Sequence, residues 1–381
     1  MVINKSIAWE QRKAMNLFVS TADKGHPELP VLSATQDRGM IRRDENSINI
    51  YHDKKNEEGY KRVLPGQFVI HLRSFQGGFA HSAIEGITSP AYTVFGFSEP
   101  EKHNPNYWKY VFTSKEFIRR LETVTYGIRD GRSISYDEFL TMDFVYPMQD
   151  EQTKIANYLD TLDNLITLHQ RKYSKLLNVK ESMLEKMFPK NGSNIPEIRF
   201  KGFTDPWEQR KLGDIVPITM GQSPDGSTYS DKPSDYILVQ GNADLQNGWV
   251  TPRIWTTQIT KKADAGDLIM SVRAPAGAMG KTAYNAVIGR GVAAIKGNEF
   301  IYQLLVKMDS DGYWKTLSCG STFESLNSNN IKNADVLIPN TDEQEKIGDY
   351  FANLDNLITL HQRELEKLQN IKKSMLEKMF V

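Results

Sequence analysis

The chain has 381 residues, 39% hydrophobic and 25% charged, and its 47 basic residues balance its 47 acidic ones. That is globular composition with enough chain for more than one core, and the longest charge-free run, Gly86–Ser98, falls short of the roughly 20 apolar residues a membrane-spanning helix needs. The single cysteine, Cys319, excludes a disulfide framework and a cysteine-based zinc site, and Met1 to Lys13 lacks an apolar signal core, so the expected compartment is the cytoplasm.

Taken in chain order, the first landmark is Trp9-Glu10-Gln11-Arg12-Lys13, which returns as Trp207-Glu208-Gln209-Arg210-Lys211. Residues 14–146 then lack long helical periodicity and carry short strand-like runs bounded by Gly, Pro, Asn and Asp. One such run, Gly66 to Arg73, enters a small-residue loop at Ser74–Gly78. Asn104-Pro105 reads as a helix start, and Pro105–Leu121 as one modest helix covering a sheet. Gly127 to Ser133 reads as a donor-rich loop of little bulk.

Pro147–Phe188 is the strongest feature, because it recurs as Pro339–Phe380 with 28 identities in 42 positions. Apolar residues step by four and three through Ile155, Leu159, Leu162, Ile166, His169, Tyr173, Leu176, Met183 and Met187. The second copy gives Ile347, Phe351, Leu354, Ile358, His361, Leu365, Leu368, Met375 and Met379. That spacing is a heptad seam on a long helix. Acidic residues Asp150-Glu151 and Asp342-Glu343 suit the helix start, and Pro189 with Gly192 stops the first copy. Two matched stripes bury each other most economically. They could run parallel or antiparallel; halves related by a two-fold axis run antiparallel, the arrangement expected here. His169 and His361 fall on the seam, where a register-setting or packing role outweighs a metal role, and Lys180 and Lys372 interrupt it.

Between the repeated helices the second half copies the first loosely. Gly266 to Arg273 matches Gly66 to Arg73, with a following loop at Ala274–Gly280, and Gly320-Ser321-Thr322 takes the place of the Gly127 loop. Ile195-Pro196-Glu197-Ile198-Arg199-Phe200 leads into Trp207 and has no counterpart among the eight residues before Trp9. The organisation therefore reads as residues 1–147 and 191–339, two variable domains, alternating with 148–190 and 340–381, two constant helices.

These residues resemble the specificity subunit of a type I restriction-modification system over nearly the whole chain. The resemblance rests on Trp207 to Gly213, on Ile338-Pro339 followed by Asp342 to Ile347, on Leu354 to Ile358, and on the duplicated order. It implies an α+β fold: two mixed α/β target recognition domains joined by a long antiparallel two-helix coiled coil, as a pseudo-two-fold internal repeat. It implies a non-catalytic subunit that recognises a split double-stranded DNA sequence. The implied partners are two methyltransferase (modification) subunits and the restriction (endonuclease and translocase) subunits, which supply the S-adenosylmethionine, ATP and Mg2+ chemistry.

Charge supports this only in part. Net charge is +1 for 1–147, +1 for 148–190, 0 for 191–339 and −2 for 340–381, without the basic excess of a stand-alone duplex binder. Short clusters exist at Arg38, Arg42 and Arg43, at Lys54 and Lys55, at Lys61 and Arg62, and at Arg119 and Arg120. Base readout needs donors and acceptors on loops that enter a groove. The candidates in the first region are Gln36, Arg38, Arg42, Arg73, Ser74, Gln76, Arg129 and Arg132. In the second they are Gln222, Ser223, Tyr229, Gln240, Asn242, Arg273, Lys281 and Ser321. Enzyme motifs fail: a phosphate loop ending at Gly280-Lys281-Thr282 has Pro275 where its first glycine belongs, and Asn104-Pro105-Asn106-Tyr107 lacks a cofactor loop before it. The competing reading is a coiled-coil interaction scaffold that does not read DNA.

Overall fold

The computed structural model describes residues 9–35, 37–46, 54–71, 78–124, 135–190, 192–318 and 325–380. The chain forms two compact units, Met1–Leu168 with Leu365–Val381, and His169–Glu364.

In the first unit, four antiparallel strands pair in the order Phe18–Thr21, Thr93–Phe97, Phe68–Ile70, Phe79–His81. Alternation along each strand divides its side chains between two faces. Phe18, Phe68, Phe79 and Phe95 point to one face and meet Trp108 and Phe112 of the helix Pro105–Thr113, with Phe117, Phe139 and Phe144. Val69, Ala80 and Val94 point to the other, against Leu32, Met40 and Val63. Phe18 stands edge-on to Phe95 at 5.5 Å and to Trp108 at 5.2 Å, the geometry ring quadrupoles favour.

The expected single helix Pro105–Leu121 is two helices, Pro105–Thr113 and Lys115–Val124. Ser114 adopts extended backbone between them. Its hydroxyl donates to Val111 O at 2.8 Å and accepts from Phe117 N at 3.2 Å, so it closes one helix and caps the next. Asn104 caps the first start, its side chain accepting from Asn106 N, with Pro105 behind it.

The second unit repeats this core. Its larger sheet runs Ile218–Met220, Val292–Ile295, Leu268–Ser271, Met279–Lys281, Trp249–Val250, Leu245–Gln246, and the first four strands keep the order of the first unit. A second, five-stranded sheet, which includes Tyr236–Val239 and Ala286–Ile288, packs on it through Val239, Ile269, Ile288 and Val292. The duplicated Glu-Gln-Arg-Lys segments also have matching partners. Glu10–Lys13 pairs with Asp143–Tyr146, and Glu208–Lys211 with Asp335–Ile338, each strand leading into a long helix.

Those helices are Gln149–Met187 and Thr341–Met379, 39 residues each. In the first unit the beginning of one meets the end of the other: Ile155, Leu159 and Leu162 share a core with Leu368, Ile371, Met375 and Met379. In the second unit Leu176, Val179 and Met183 pack with Ile347, Phe351 and Leu354. The pairing is antiparallel. Lys372 reaches Asp163 and Lys180 reaches Asp355, each at 2.5 Å, so the lysines that interrupt the seam are neutralised across it. His169 and His361 meet Nδ1 to Nδ1 at 3.1 Å. Seam residues near each helix start are also buried by the sheet domain, Leu159 and Phe351 completely, whereas Ile166, Leu365 and Leu368 keep partial exposure. Ile358 is buried and Tyr173 half-buried. Among the described residues, no helix is long and apolar enough to cross a membrane.

Candidate nucleic-acid interface

At one end of the second unit's sheets, several strand ends converge. Ile218–Met220 runs out through Gly221, whose N–H donates to Val292 O at 2.9 Å, and Gln222 N donates to Ile288 O at 2.9 Å. Gly289 N donates to Val239 O, and Val272 N to Gly291 O, both at 2.8 Å. Glycine is required where these backbones touch. A Cβ on Gly291 would stand 1.9 Å from Gln240 O, and one on Gly221 2.1 Å from Gly289 O.

This convergence brings Gln222, Ser223, Gln240, Asn242 and Arg273 to one end of the unit. Arg273 is exposed just past Leu268–Ser271. Ser223 Oγ accepts from Arg290 N at 3.1 Å. Arg290 itself is exposed, and no hydrogen bond or ion pair engages its guanidinium among the described residues. The sequence reading passed over Arg290; its signal is an arginine between two glycines in a tight turn. Arg253 is a second omission, its side chain half-exposed and donating to Asp244 at 3.0 Å. Asp244 is buried and also accepts from Gln240 N at 2.7 Å and Gly241 N at 3.3 Å, which fixes the turn carrying Gln240 and Asn242.

The loop after Gly221 is shaped internally. Asp225 accepts from Ser227 Oγ at 2.7 Å and Ser227 N at 2.9 Å. Those bonds, the hydroxyl's first, hold its carboxyl below the usual range. Tyr229 donates to Pro224 O at 3.3 Å, closing the loop. Lys281 does not join the group. It pairs with Leu268, at the opposite end of the strand from Arg273. Its ammonium meets Glu299 at 2.9 Å and lies over the rings of Tyr302 and Trp249 at 4.6 and 5.0 Å. Ser321 lies outside the described residues.

In the first unit the corresponding sheet end holds His71, which follows Phe68–Ile70, and Tyr92, which precedes Thr93–Phe97. Lys61 donates to Tyr92 O at 2.6 Å. Burial, then the charge of Lys24, holds the Lys61 ammonium below the usual lysine range. Arg73, Ser74 and Gln76, which continue from the strand, lie outside the described residues, as do Gln36, Arg129 and Arg132. Arg38 and Arg42 lie on the hairpin Leu32–Thr35/Gly39–Arg42. Arg42 is paired with Asp44 at 3.3 Å. Arg38 lines a cavity with His81, Lys109, Asp163 and Lys372. His81 pairs with Phe68, so this hairpin tip lies at the other end of the sheet from His71. Among the described residues, no three His, Cys, Asp or Glu side chains gather as a metal site.

Comparison with known proteins agrees with this architecture. Residues 204–370 match the model of the type I restriction modification DNA specificity domain. The chain is 27% identical over 354 residues to the "Putative type I restriction enzyme MjaX specificity subunit" of Methanocaldococcus jannaschii, spanning 87% of this chain and 82% of that one. It is also 27% identical over 200 residues to the MjaIX specificity subunit of the same organism, 46% of this chain and 44% of that one. In fold it is similar to the type I restriction-modification S subunit from M. genitalium, with a TM-score of 0.67 at 15% identity over 100% and 98% of the two chains. A chain of another solved type I system matches at a TM-score of 0.54 and 19% identity over 98% of each. With its duplicated helices and matching sheet cores, the chain is similar along its length to the specificity subunits of type I restriction-modification systems, and residues 204–370 carry the DNA specificity domain of that family.

Proposed function

We propose that the protein is the DNA-reading, non-catalytic subunit of a type I complex in the cytoplasm, each unit reading one half of a split duplex target. The observation that carries this is the same four-strand core built twice, each copy ending in loops whose residues differ. One half can thus change its reading while the frame stays constant. In the second unit Arg273, Arg290, Gln222 and Gln240 offer guanidinium and amide groups, the chemistry that pairs bidentately with guanine and adenine. The long helices set the gap between half-sites; 39 residues give a helix of about 58 Å.

The partners are two methyltransferase subunits plus restriction subunits, and S-adenosylmethionine, ATP and Mg2+ belong to them. A duplicated exposed pair supports two equivalent docking faces. Leu165 and Leu168 on the first long helix are 38% and 46% exposed, and their counterparts Leu357 and Leu360 are 44% and 52% exposed. A chain with no net charge fits a reader whose partners supply much of the phosphate binding. The test is retention of bipartite duplexes by the chain mixed with its methyltransferase partner. Sequence-selective retention is expected; its absence at every salt concentration returns the chain to an interaction scaffold.

A further inference from the structure

We propose that His169 and His361, facing each other across the seam of the two long helices, form a binding site for a divalent metal ion of the imidazole-preferring class, Zn2+ or Ni2+. The argument rests on the two rings and their surroundings and is independent of DNA reading.

Both histidines belong to the second unit. Within either helix no second histidine stands at ligating spacing; the antiparallel pairing supplies it from the other helix. Their Nδ1 atoms lie 3.1 Å apart, with the rings edge-on at 5.1 Å between centroids. One Nδ1 therefore donates to the other, and both nitrogens aim at the same small volume. Metal–imidazole bonds run to about 2.0–2.1 Å, so an ion bonded to both nitrogens at this separation would hold them at an angle of about 100°. That angle lies between the octahedral and tetrahedral values. Binding moves the proton of the donating ring from Nδ1 to Nε2 through water, and turns both rings until their lone pairs converge beside the line joining the nitrogens.

Both rings are half-buried, so water reaches them and fills the remaining coordination positions. Charge around the pair is divided. Lys172, one turn past His169, acts on His361 and opposes a cation. Its counterpart in the duplication is Glu364, one turn past His361 and so on the same helix face. Glu364 is half-buried, and among the described residues its carboxylate makes no hydrogen bond or ion pair. The repeat thus keeps both histidines and, in its second copy only, puts a carboxylate one turn along from them. Two imidazoles decide which ions bind: Zn2+ and Ni2+ suit them, whereas Mg2+ and Ca2+ seek oxygen ligands.

Titrating the metal-free full-length chain with ZnCl2, read by calorimetry and by thermal unfolding, tests this. One equivalent should bind at the pair and raise the unfolding midpoint, while MgCl2 at the same concentration does neither. His169→Ala and His361→Ala should each weaken zinc binding by about tenfold or more, at least what loss of an outer-shell partner costs a metal site. Lys172→Gln should strengthen it by about twofold or more. Circular dichroism checks that the variants fold. Electron paramagnetic resonance of the unaltered chain with one equivalent of Cu2+ reads the site without any substitution, and should show two nitrogen ligands. A midpoint that zinc leaves unmoved, binding that survives both histidine substitutions, weaker binding in Lys172→Gln, or a copper spectrum with fewer than two nitrogens overturns the proposal.

Discussion

Lys180 on the first long helix donates to Asp355 on the second at 2.5 Å, with both side chains mostly withdrawn from solvent. Exchanging the roles of the two repeats gives Lys372 and Asp163, also at 2.5 Å. His169 and His361, counterparts of each other, meet directly. Such reciprocity is the signature of an antiparallel pair of like helices in one fixed register.

The first prediction concerns that register. Lys180→Ala or Lys372→Ala should each cost about 1–2 kcal/mol, between the values for exposed and buried ion pairs. The swapped pair Lys180→Asp with Asp355→Lys should recover part of the loss, although Asp355 also accepts from Gln303 at 2.8 Å. Urea unfolding of the four chains as a double-mutant cycle measures the coupling. A coupling energy of zero contradicts the register.

Acid should weaken the fold. Burial pushes the His81 imidazole down to about 4, with Lys109 adding to it and Asp160 opposing. His103 is lowered mainly by burial, and His361 by burial and then by His169 and Lys172. Each folded-state value lies below the unfolded one, so the unfolded chain binds more protons and stability rises with pH. The contribution is complete above about 6.5 and is lost as pH falls toward the folded values. For His81 the loss at pH 4 is on the order of 3 kcal/mol. Thermal unfolding between pH 7.5 and 4.5 should show a falling midpoint, and His81→Phe should flatten that slope.

Arg273→Ala and Arg290→Ala should each weaken retention of the correct target by about 1–3 kcal/mol. Lys281→Ala should instead lower stability through lost contacts with Glu299, Tyr302 and Trp249 and leave retention by the remaining folded complex unchanged. Retention assays alongside thermal unfolding separate the two effects. Loss of retention in Lys281→Ala, with none in Arg273→Ala and Arg290→Ala, would move the interface to the other end of the sheet.

How far the sequence foretold this differs by feature. The helix pair was legible because its evidence is local and doubled: a seam of period 3.5, written twice. The repeat favoured the antiparallel direction while leaving the parallel one open, and the pairs Lys180–Asp355 and Lys372–Asp163 decide between them. The Ser114 break was hidden because Trp108, Val111, Phe117 and Leu121 hold helical spacing on both sides of it, and a serine acting as cap looks like a serine in passing. Lys281 stood eight residues beyond Arg273, yet the hairpin between Leu268–Ser271 and Met279–Lys281 sends it to the far end. Linear proximity does not survive an antiparallel turn. Gly289-Arg290-Gly291 was not among the segments singled out from the sequence, although it is the turn that presents the Arg290 side chain.

Deleting four residues from both long helices removes about 6 Å of rise, close to two base pairs at about 3.4 Å each. The gap in the methylated site should contract by that amount in cells carrying the shortened chain. An unchanged gap contradicts the spacer role.

The central claim, one half-site for each unit, is tested most directly by exchanging residues 14–146 for those of a relative and mapping methylated adenines in DNA from cells that also hold the methyltransferase partner. One half of the methylated sequence should change while the other half stays as it was. Change in both halves, or in neither, contradicts the account.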